Sequence, residues 1–282
     1  MKKAILMFGL AIMCMVGCIT PDPPIPPLPP VVWGNLIGAG MFYGVMPWKG
    51  NGIYNDAPKD MTTLVAQFAQ AGGNIFQVQL LYEDGALFVP GKGLTMDPAR
   101  IAYCTNFVSI CRKQGVNVLF VLFDNCTLKY PAKWAVSPLN RKNGGPFYGC
   151  YDLYKNAPAV SAYVTQAVQN LNGENVAFEI INEGTSQTFG TQVRDMLTAI
   201  GVSRKSTSGS MLNGLWKYSA HGQIHASAVK TGQLPNTDGQ TWNIVDVAPI
   251  CAAVRATPES GLVFDGVTDA KHNWAEFLSK LR

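Results

Sequence analysis

Residues 116–124 read VNVLFVLFD, and residues 175–183 read NVAFEIINE. Both are continuous apolar runs, rich in Val and Phe, that end in a polar or acidic residue. A run of this kind is typical of a strand buried on both faces, as in a parallel sheet. Helical patterns precede both runs, at 97–114 and 157–171. The two stretches therefore predict a parallel sheet whose strands are connected by helices.

The same alternation continues outward in both directions. Strands are predicted at 36–45, 74–81, 203–208, 215–221 and 261–267, and helices at 60–71, 192–200, 243–256 and 273–281. That makes seven strands, so an eighth is either missed or replaced. Open doubly wound sheets and closed barrels both fit, but about 250 residues is typical of a (β/α)₈ barrel. Because no glycine-rich phosphate motif follows the first strand, a dinucleotide site is disfavoured. We predict an α/β, TIM-barrel-like fold, trimmed or irregular in its second half.

The first 30 residues have a different character from the rest. Residues 1–17 form a basic start and a short apolar stretch, which predict an export signal. The segment Met15-Val16-Gly17-Cys18 resembles the bacterial lipobox, which implies cleavage before Cys18 and attachment of a lipid to it; the alternative is a secretory signal in which Cys18 is incidental. Residues 18–30 contain seven prolines and predict a stiff tether. Residues 31–282 then form a single domain, held in the cell envelope and facing the periplasm or the exterior.

Composition excludes several classes of protein. The chain of 282 residues is 48% hydrophobic and only 14% charged, which argues against a disordered or coiled-coil protein. Its net charge is +4, and no basic run occurs beyond the first residues, so nucleic acid is not an expected partner. No Cys/His spacing is typical of a metal site, and no cofactor motif occurs. We expect a monomer that works without metal or cofactor.

The long segment 125–156 follows the run that ends at Asp124. Segments of this length are usually functional or disordered, so we predict one wall of a substrate cleft, with a surface ornament as the alternative. Cys126 and Cys150 bracket the segment, and an oxidising compartment would favour a disulfide between them. Trp48 and Trp134 lie in polar surroundings suited to stacking against sugar rings.

Polar residues end several of the predicted strands. They include Asp124, Asn182 with Glu183, His221 and Asp265. In a βα barrel the carboxyl ends of the strands form the reactive face. Two carboxyl groups across a cleft, one protonated and one ionised, are what glycosidic bond cleavage requires.

The six residues FEIINE, 178–183, resemble the strand-four signature of clan A glycoside hydrolases, especially the family 5 cellulases and mannanases. The resemblance implies that Glu183 is the general acid/base and that Asn182 binds a sugar 2-hydroxyl. It also implies a substrate-binding role for His221 as the strand-six histidine. Glu179, four residues before Glu183, is expected in the barrel mouth, paired with a basic or amide neighbour. Asp124 is expected to bind substrate there.

The sequence departs from the family pattern at several positions. Gly184 follows the Asn-Glu pair where proline is usual, and the second strand offers Gln77 and Gln79 instead of an arginine. The family's nucleophile is a strand-seven glutamate; here the predicted strand carries Asp265, with Glu259 as the alternative. We therefore predict a lipid-anchored glycoside hydrolase that cleaves a β-linked glycan with retention. The alternative is an inactive barrel lipoprotein that binds a glycan or a protein partner.

Overall fold

The computed structural model describes residues 27–33, 36–41, 61–81, 87–182, 187–202, 205–206, 256 and 261–264. The described strands are β1 Leu36–Met41, β2 Ile75–Gln79, β3 Asn117–Asp124, β4 Val176–Asn182, β5 Lys205–Ser206 and β6 Gly261–Phe264. The described α-helices are α1 Met61–Gln70, α2 Pro98–Lys113, α3 Asn125–Lys129, α4 Pro131–Val136, α5 Ala157–Leu171 and α6 Gln187–Ala199.

The described strands form one sheet in the order β5-β4-β3-β2-β1-β6, and every neighbouring pair is parallel. Consecutive strands are neighbours, and the first strand also pairs with the last. This is the strand order of a βα barrel, whereas in a doubly wound sheet the order in which successive strands are added reverses near the centre. The predicted α/β, TIM-barrel-like fold class is confirmed.

Alternate residues of the central strands enter two different cores. Phe76, Phe120 and Phe178 face outward into a large cluster shared with the helices. Phe68 of α1 stacks on Phe76 there, with ring centroids 3.9 Å apart. Ile75, Leu119, Ala177 and Leu36 form a second, smaller cluster on the inner face. Since both faces of β3 are buried along its whole length, its sequence is apolar without alternation.

Short local signals define where the long helices begin. Asp97 caps α2, its side chain accepting a hydrogen bond of 2.9 Å from the backbone N–H of Ala99, and Pro98 takes the first helical position. Asn156 caps α5 in the same way through Ala159. The helix predicted at 157–171 is confirmed at both ends.

The end of the predicted tether is docked onto the domain. Asn117, the first residue of β3, donates a hydrogen bond of 2.7 Å to the carbonyl of Val32, and Arg112 donates one of 2.5 Å to the carbonyl of Pro29. Trp33 reaches the carbonyl of Glu174, just before β4. Residues 27–33 therefore lie against the amino-terminal ends of the strands. The predicted signal and Cys18 lie outside the described residues, and none of the described helices is long and apolar enough to cross a membrane.

The pairing of β6 gives its place in the sheet. The strand predicted at 261–267 was the seventh in the sequence, and β6 pairs with β1, from Leu36 opposite Gly261 to Ala39 opposite Phe264. Among the described strands it therefore takes the position of a barrel's closing strand, next to the first. Periodicity identifies a strand but contains no information on its neighbour, which is a contact between distant parts of the sequence.

The segment 125–156 is ordered rather than a simple loop. It contains α3, α4 and two short 3₁₀ helices, Arg141–Asn143 and Cys150–Lys155. Asn143 ties two of these elements together, donating to the carbonyls of Ala135 (2.8 Å) and Ser137 (2.9 Å). Phe147 and Leu139 are buried in the main core. These contacts hold the segment in one conformation.

Cys150, for which a disulfide with Cys126 was predicted, is a free thiol among the described residues. It is half-buried and packs against the main core as a small apolar side chain. The side chain of Cys126 lies outside the described residues. Hydrogen bonds from the asparagines of the segment and buried apolar side chains hold its described part together.

Candidate active site

The ends of β3 and β4 bring two polar side chains together. Asp124 lies directly opposite Asn182 in the sheet register. The side-chain Nδ2 of Asn182 donates a hydrogen bond of 3.2 Å to Oδ1 of Asp124, and both residues are buried. The structure therefore places these two predicted site residues in contact at the carboxyl edge of the sheet.

The carboxylate of Asp124 is fully engaged within the protein. Its Oδ2 accepts a hydrogen bond of 2.6 Å from the backbone N–H of Thr127, and the Thr127 hydroxyl donates to the carbonyl of Leu81 just after β2. Burial raises the pKa of Asp124, and the hydrogen bonds from Thr127 and Asn182, with the charge of Lys133, oppose that rise. These contacts favour a positioning role for Asp124 over the predicted direct contact with a sugar.

Asp124 determines which way the Asn182 amide points. A carboxylate only accepts hydrogen bonds, so the amide must present its Nδ2 to Asp124. The Oδ1 of Asn182 is left buried, with no hydrogen-bond partner among the described residues. A buried acceptor without a donor is costly unless a ligand supplies one. A sugar hydroxyl is a suitable donor.

Glu179 lies within β4 and is buried. Its Oε2 accepts a hydrogen bond of 2.6 Å from Nε2 of Gln77 on β2. The expectation that Glu179 pairs with an amide neighbour is confirmed. This hydrogen bond joins β2 to β4 across the inner face of the sheet.

Gln79 is a site residue that sequence analysis noted only as a departure from the family pattern. It follows Gln77 by two residues, so it lies on the same inner face at the end of β2. Its side chain is buried, yet neither amide atom has a hydrogen-bond partner among the described residues. The sequence signal that could have identified it is the pair of glutamines at alternate positions, 77 and 79, in the otherwise apolar strand IFQVQ.

The remaining predicted site residues have different outcomes. Trp134 lies on α4 with its side chain half-buried against the main core. The residues that lie outside the described part of the chain are Cys18, Trp48, Glu183, His221, Glu259 and Asp265. Glu183 directly follows Asn182 in sequence, and Asp265 directly follows the last residue of β6.

The orientation of Asn182 leads to a prediction for Asp124→Asn. An asparagine at 124 both donates and accepts, so the Asn182 amide is free to turn over, and we expect turnover to fall about tenfold. Because the pKa of Asp124 is higher in the folded than in the unfolded state, protonation of Asp124 stabilises the folded state. This stabilisation is lost as the pH rises through the raised pKa. The stability of the wild type relative to the variant should therefore decrease from about pH 4 toward pH 7.

Urea unfolding at several pH values, with hydrolysis assays, checks both parts of this expectation. The matched control is Asp195→Asn, which removes an exposed carboxylate from α6. Full turnover by Asp124→Asn would show that the amide orientation does not matter. A stability difference that stays constant with pH would show that Asp124 titrates alike in both states.

No family model matches the sequence, and no curated protein matches it. One similar solved structure is an endo-1,4-β-D-mannanase from Thermotoga petrophila RKU-1, with 15% identity, a TM-score of 0.37, and coverage of 58% of this chain and 50% of that one. A GH5_18 protein from Bifidobacterium longum subsp. infantis has 13% identity, a TM-score of 0.42, and coverage of 64% and 44%. An endo-β-1,4-glucanase from Xanthomonas axonopodis pv. citri has 15% identity, a TM-score of 0.40, and coverage of 60% and 50%. The match spans half or less of the length of these structures, and the fold assignment rests on this chain's own strand order.

Proposed function

We propose that this protein is an exported glycoside hydrolase that cleaves a β-linked polysaccharide or oligosaccharide with retention of configuration. The observation that carries the proposal is the Asn182–Asp124 contact at the end of β4, which leaves the Asn182 Oδ1 without a hydrogen-bond partner in the described part of the chain. Glu183 follows Asn182 in sequence, as in the family motif that FEIINE resembles. An oriented amide beside a strand-end carboxyl group suits the cleavage of a glycosidic bond.

In this mechanism the Glu183 carboxyl group donates its proton to the leaving glycosidic oxygen. A second carboxylate attacks the anomeric carbon and forms a covalent glycosyl ester as the C–O bond breaks. Glu183, now ionised, takes a proton from water, whose oxygen attacks the same carbon and releases the nucleophile. The Asn182 Oδ1 accepts a hydrogen bond from a sugar hydroxyl throughout.

The second carboxylate is constrained by the position of β6. In an eight-stranded barrel the closing strand is four strands from β4, which is the largest possible separation around the barrel. A retaining enzyme needs carboxyl groups about 5–5.5 Å apart, so this position weakens the case for Asp265. Glu259 precedes β6 in the sequence. Between β5 and Glu259 the sequence offers Asp238 and Asp246. We propose that the nucleophile is Asp265 or one of these two residues.

Hydrolysis of a panel of β-glucans and β-mannans tests the proposal, with proton NMR of the first-formed product to record its anomeric configuration. We expect release of the β-anomer from at least one substrate. Single Asp→Asn variants at 238, 246 and 265 identify the nucleophile as the position whose loss abolishes turnover. First release of the α-anomer would exclude a retaining mechanism.

Attachment to the membrane is a separate part of the proposal. The lipobox-like segment before Cys18 and the prolines after it support a lipid anchor. The variant Cys18→Ser should move the protein from the membrane fraction to the soluble fraction of the cell envelope. An unchanged membrane association would show that Cys18 is not the anchor.

The second candidate function is a barrel that binds a glycan or a protein partner without turnover. The pairing of β6 with β1 favours this candidate, because it removes the predicted seventh-strand carboxylate from its expected position. Saturable glycan binding with no hydrolysis of any substrate in the panel would support it over the enzyme.

A further inference from the structure

A basic, aromatic groove lies on the ordered segment that follows β3. Its volume is about 530 Å³, and Trp134, Tyr148, Arg141 and Lys142 are among the residues that line it. This volume is within the range of small-ligand sites. No acidic side chain is among the described residues that line it.

The cationic side chains of the groove are free to meet a ligand. The guanidinium of Arg141 lies over the ring of Tyr148, 4.4 Å from its centroid. Neither Arg141 nor Lys142 forms an ion pair within the described residues, and both are exposed. Tyr148 is 74% exposed, which is unusual for a large aromatic side chain in a monomeric protein.

Positive charge is concentrated in the segment that carries this groove. Residues 125–156 include five basic residues and one acidic residue, a net charge of +4, which equals that of the whole chain. The acidic residue, Asp152, accepts a hydrogen bond from the backbone N–H of Gly149. The field at this surface therefore attracts anions.

The groove is preorganised by the framework beneath it. Asn140 donates to the carbonyl of Trp134 (3.0 Å) and accepts from the backbone N–H of Lys142 (3.0 Å). A side chain at Gly145 would collide with the backbone of Leu139, 2.3 Å from the added carbon, so this turn requires glycine. Because these elements are already ordered, binding a ligand costs little conformational entropy, which increases affinity.

We propose that this groove binds an acidic glycan, a sugar chain that bears carboxylates. The inference rests on the proposed function and names its substrate class: the aromatic rings contact sugar faces, and Arg141 and Lys142 pair with the carboxylates. The groove lies on the segment that follows Asp124 in the chain, and Asp124 bonds to Asn182.

The charge also suits an anionic lipid surface, but the placement of the groove opposes it. The segment 27–33, which leads toward the predicted anchor, contacts the amino-terminal ends of the strands at Asn117 and Glu174. The groove follows the carboxyl end of β3, at the other edge of the sheet. The segment that carries the groove thus leaves the sheet at the edge opposite the one that residues 27–33 contact, and a concave groove suits a chain better than a flat surface.

Binding of a matched pair of sugars tests the inference. The probes are β-linked mannuronate hexasaccharide and mannohexaose, which share backbone and linkage and differ in the carboxylate. Calorimetry uses the full chain with Cys18→Ser, so that no lipid interferes. We expect tighter binding of the mannuronate, weakening as salt is added. The double variant Arg141→Gln with Lys142→Gln should weaken mannuronate binding about tenfold. Replacing the exposed Tyr148 with alanine should weaken the binding of both sugars. The control is Lys113→Gln with Arg194→Gln, which removes the same charge from α2 and α6.

Equal affinity for the two sugars would overturn the inference, as would an equal loss in the control variant. Salt-sensitive binding to phosphatidylglycerol vesicles that the Arg141/Lys142 variant abolishes, without binding of the mannuronate, would show a lipid surface instead. Because the readout is binding, it is independent of turnover. Preference for the mannuronate without hydrolysis of any glycan would refute the proposed enzyme and leave the acidic-glycan site standing.

Discussion

The variant Glu183→Gln should lose hydrolysis of natural glycans by about 10²–10⁴-fold, because an amide cannot donate the proton that the leaving oxygen requires. The substitution conserves shape, so folding should be unaffected. The size of the loss should depend on the substrate. A dinitrophenyl glycoside has a leaving group that needs no proton, so formation of the glycosyl ester should still occur in the variant. The ester should then accumulate, and its formation should be seen as a burst of released dinitrophenol.

Added azide separates the role of Glu183 from that of the nucleophile. In Glu183→Gln, azide attacks the accumulated glycosyl ester without needing a base, so turnover should recover and the product should be the β-glycosyl azide. In a variant that lacks the nucleophile, azide attacks the substrate itself, and the product is the α-glycosyl azide. Equal turnover of natural glycans by the wild type and Glu183→Gln would remove Glu183 from the mechanism.

The central strands could be predicted from sequence because one physical effect dominates them. The run 116–124 predicted β3, and the structure has Asn117–Asp124; the run 175–183 predicted β4, and the structure has Val176–Asn182. Both strands are buried on both sides, so hydrophobicity alone marks their bounds. The strand-end polar residues Asp124 and Asn182 could be predicted for the same reason, since each stands where the apolar run ends.

The bounds that were missed depend on contacts that sequence patterns do not show. The strand predicted at 203–208 corresponds to β5, which has only two residues, both polar, and is defined by its pairing with Phe178 and Glu179. Helix α6 begins at Gln187, not 192, because its first turn holds one apolar residue, Phe189, next to Gly190, a poor helix former that hides the helical period. The neighbour of β6, and the lack of a hydrogen-bond partner for the Gln79 amide among the described residues, are tertiary features. Neither is encoded within a few residues.

The variant Gln79→Met should make the protein more stable and less active. Burying a polar group without partners costs about 1–3 kcal/mol, and methionine has a similar length without polar atoms, so we expect a gain of that size in the free energy of unfolding. If Gln79 binds a substrate hydroxyl, the same change removes a hydrogen bond from the complex, and kcat/KM should fall about 10–100-fold. Denaturant unfolding and hydrolysis of the best substrate measure the two effects.

The matched control is Gln77→Met, two residues earlier on the same face of β2. Gln77 donates to Oε2 of Glu179 at 2.6 Å, so its loss leaves a buried carboxyl oxygen without this donor. That variant should be destabilised by about 1.5–3 kcal/mol, the opposite sign from Gln79→Met. A structural role for Gln79 would make the two variants alike. Changes of opposite sign in the free energy of unfolding, with lost turnover in Gln79→Met, would assign the two residues different roles. Gln77 would stabilise the barrel, and Gln79 would be retained at a cost to stability because it contacts the substrate.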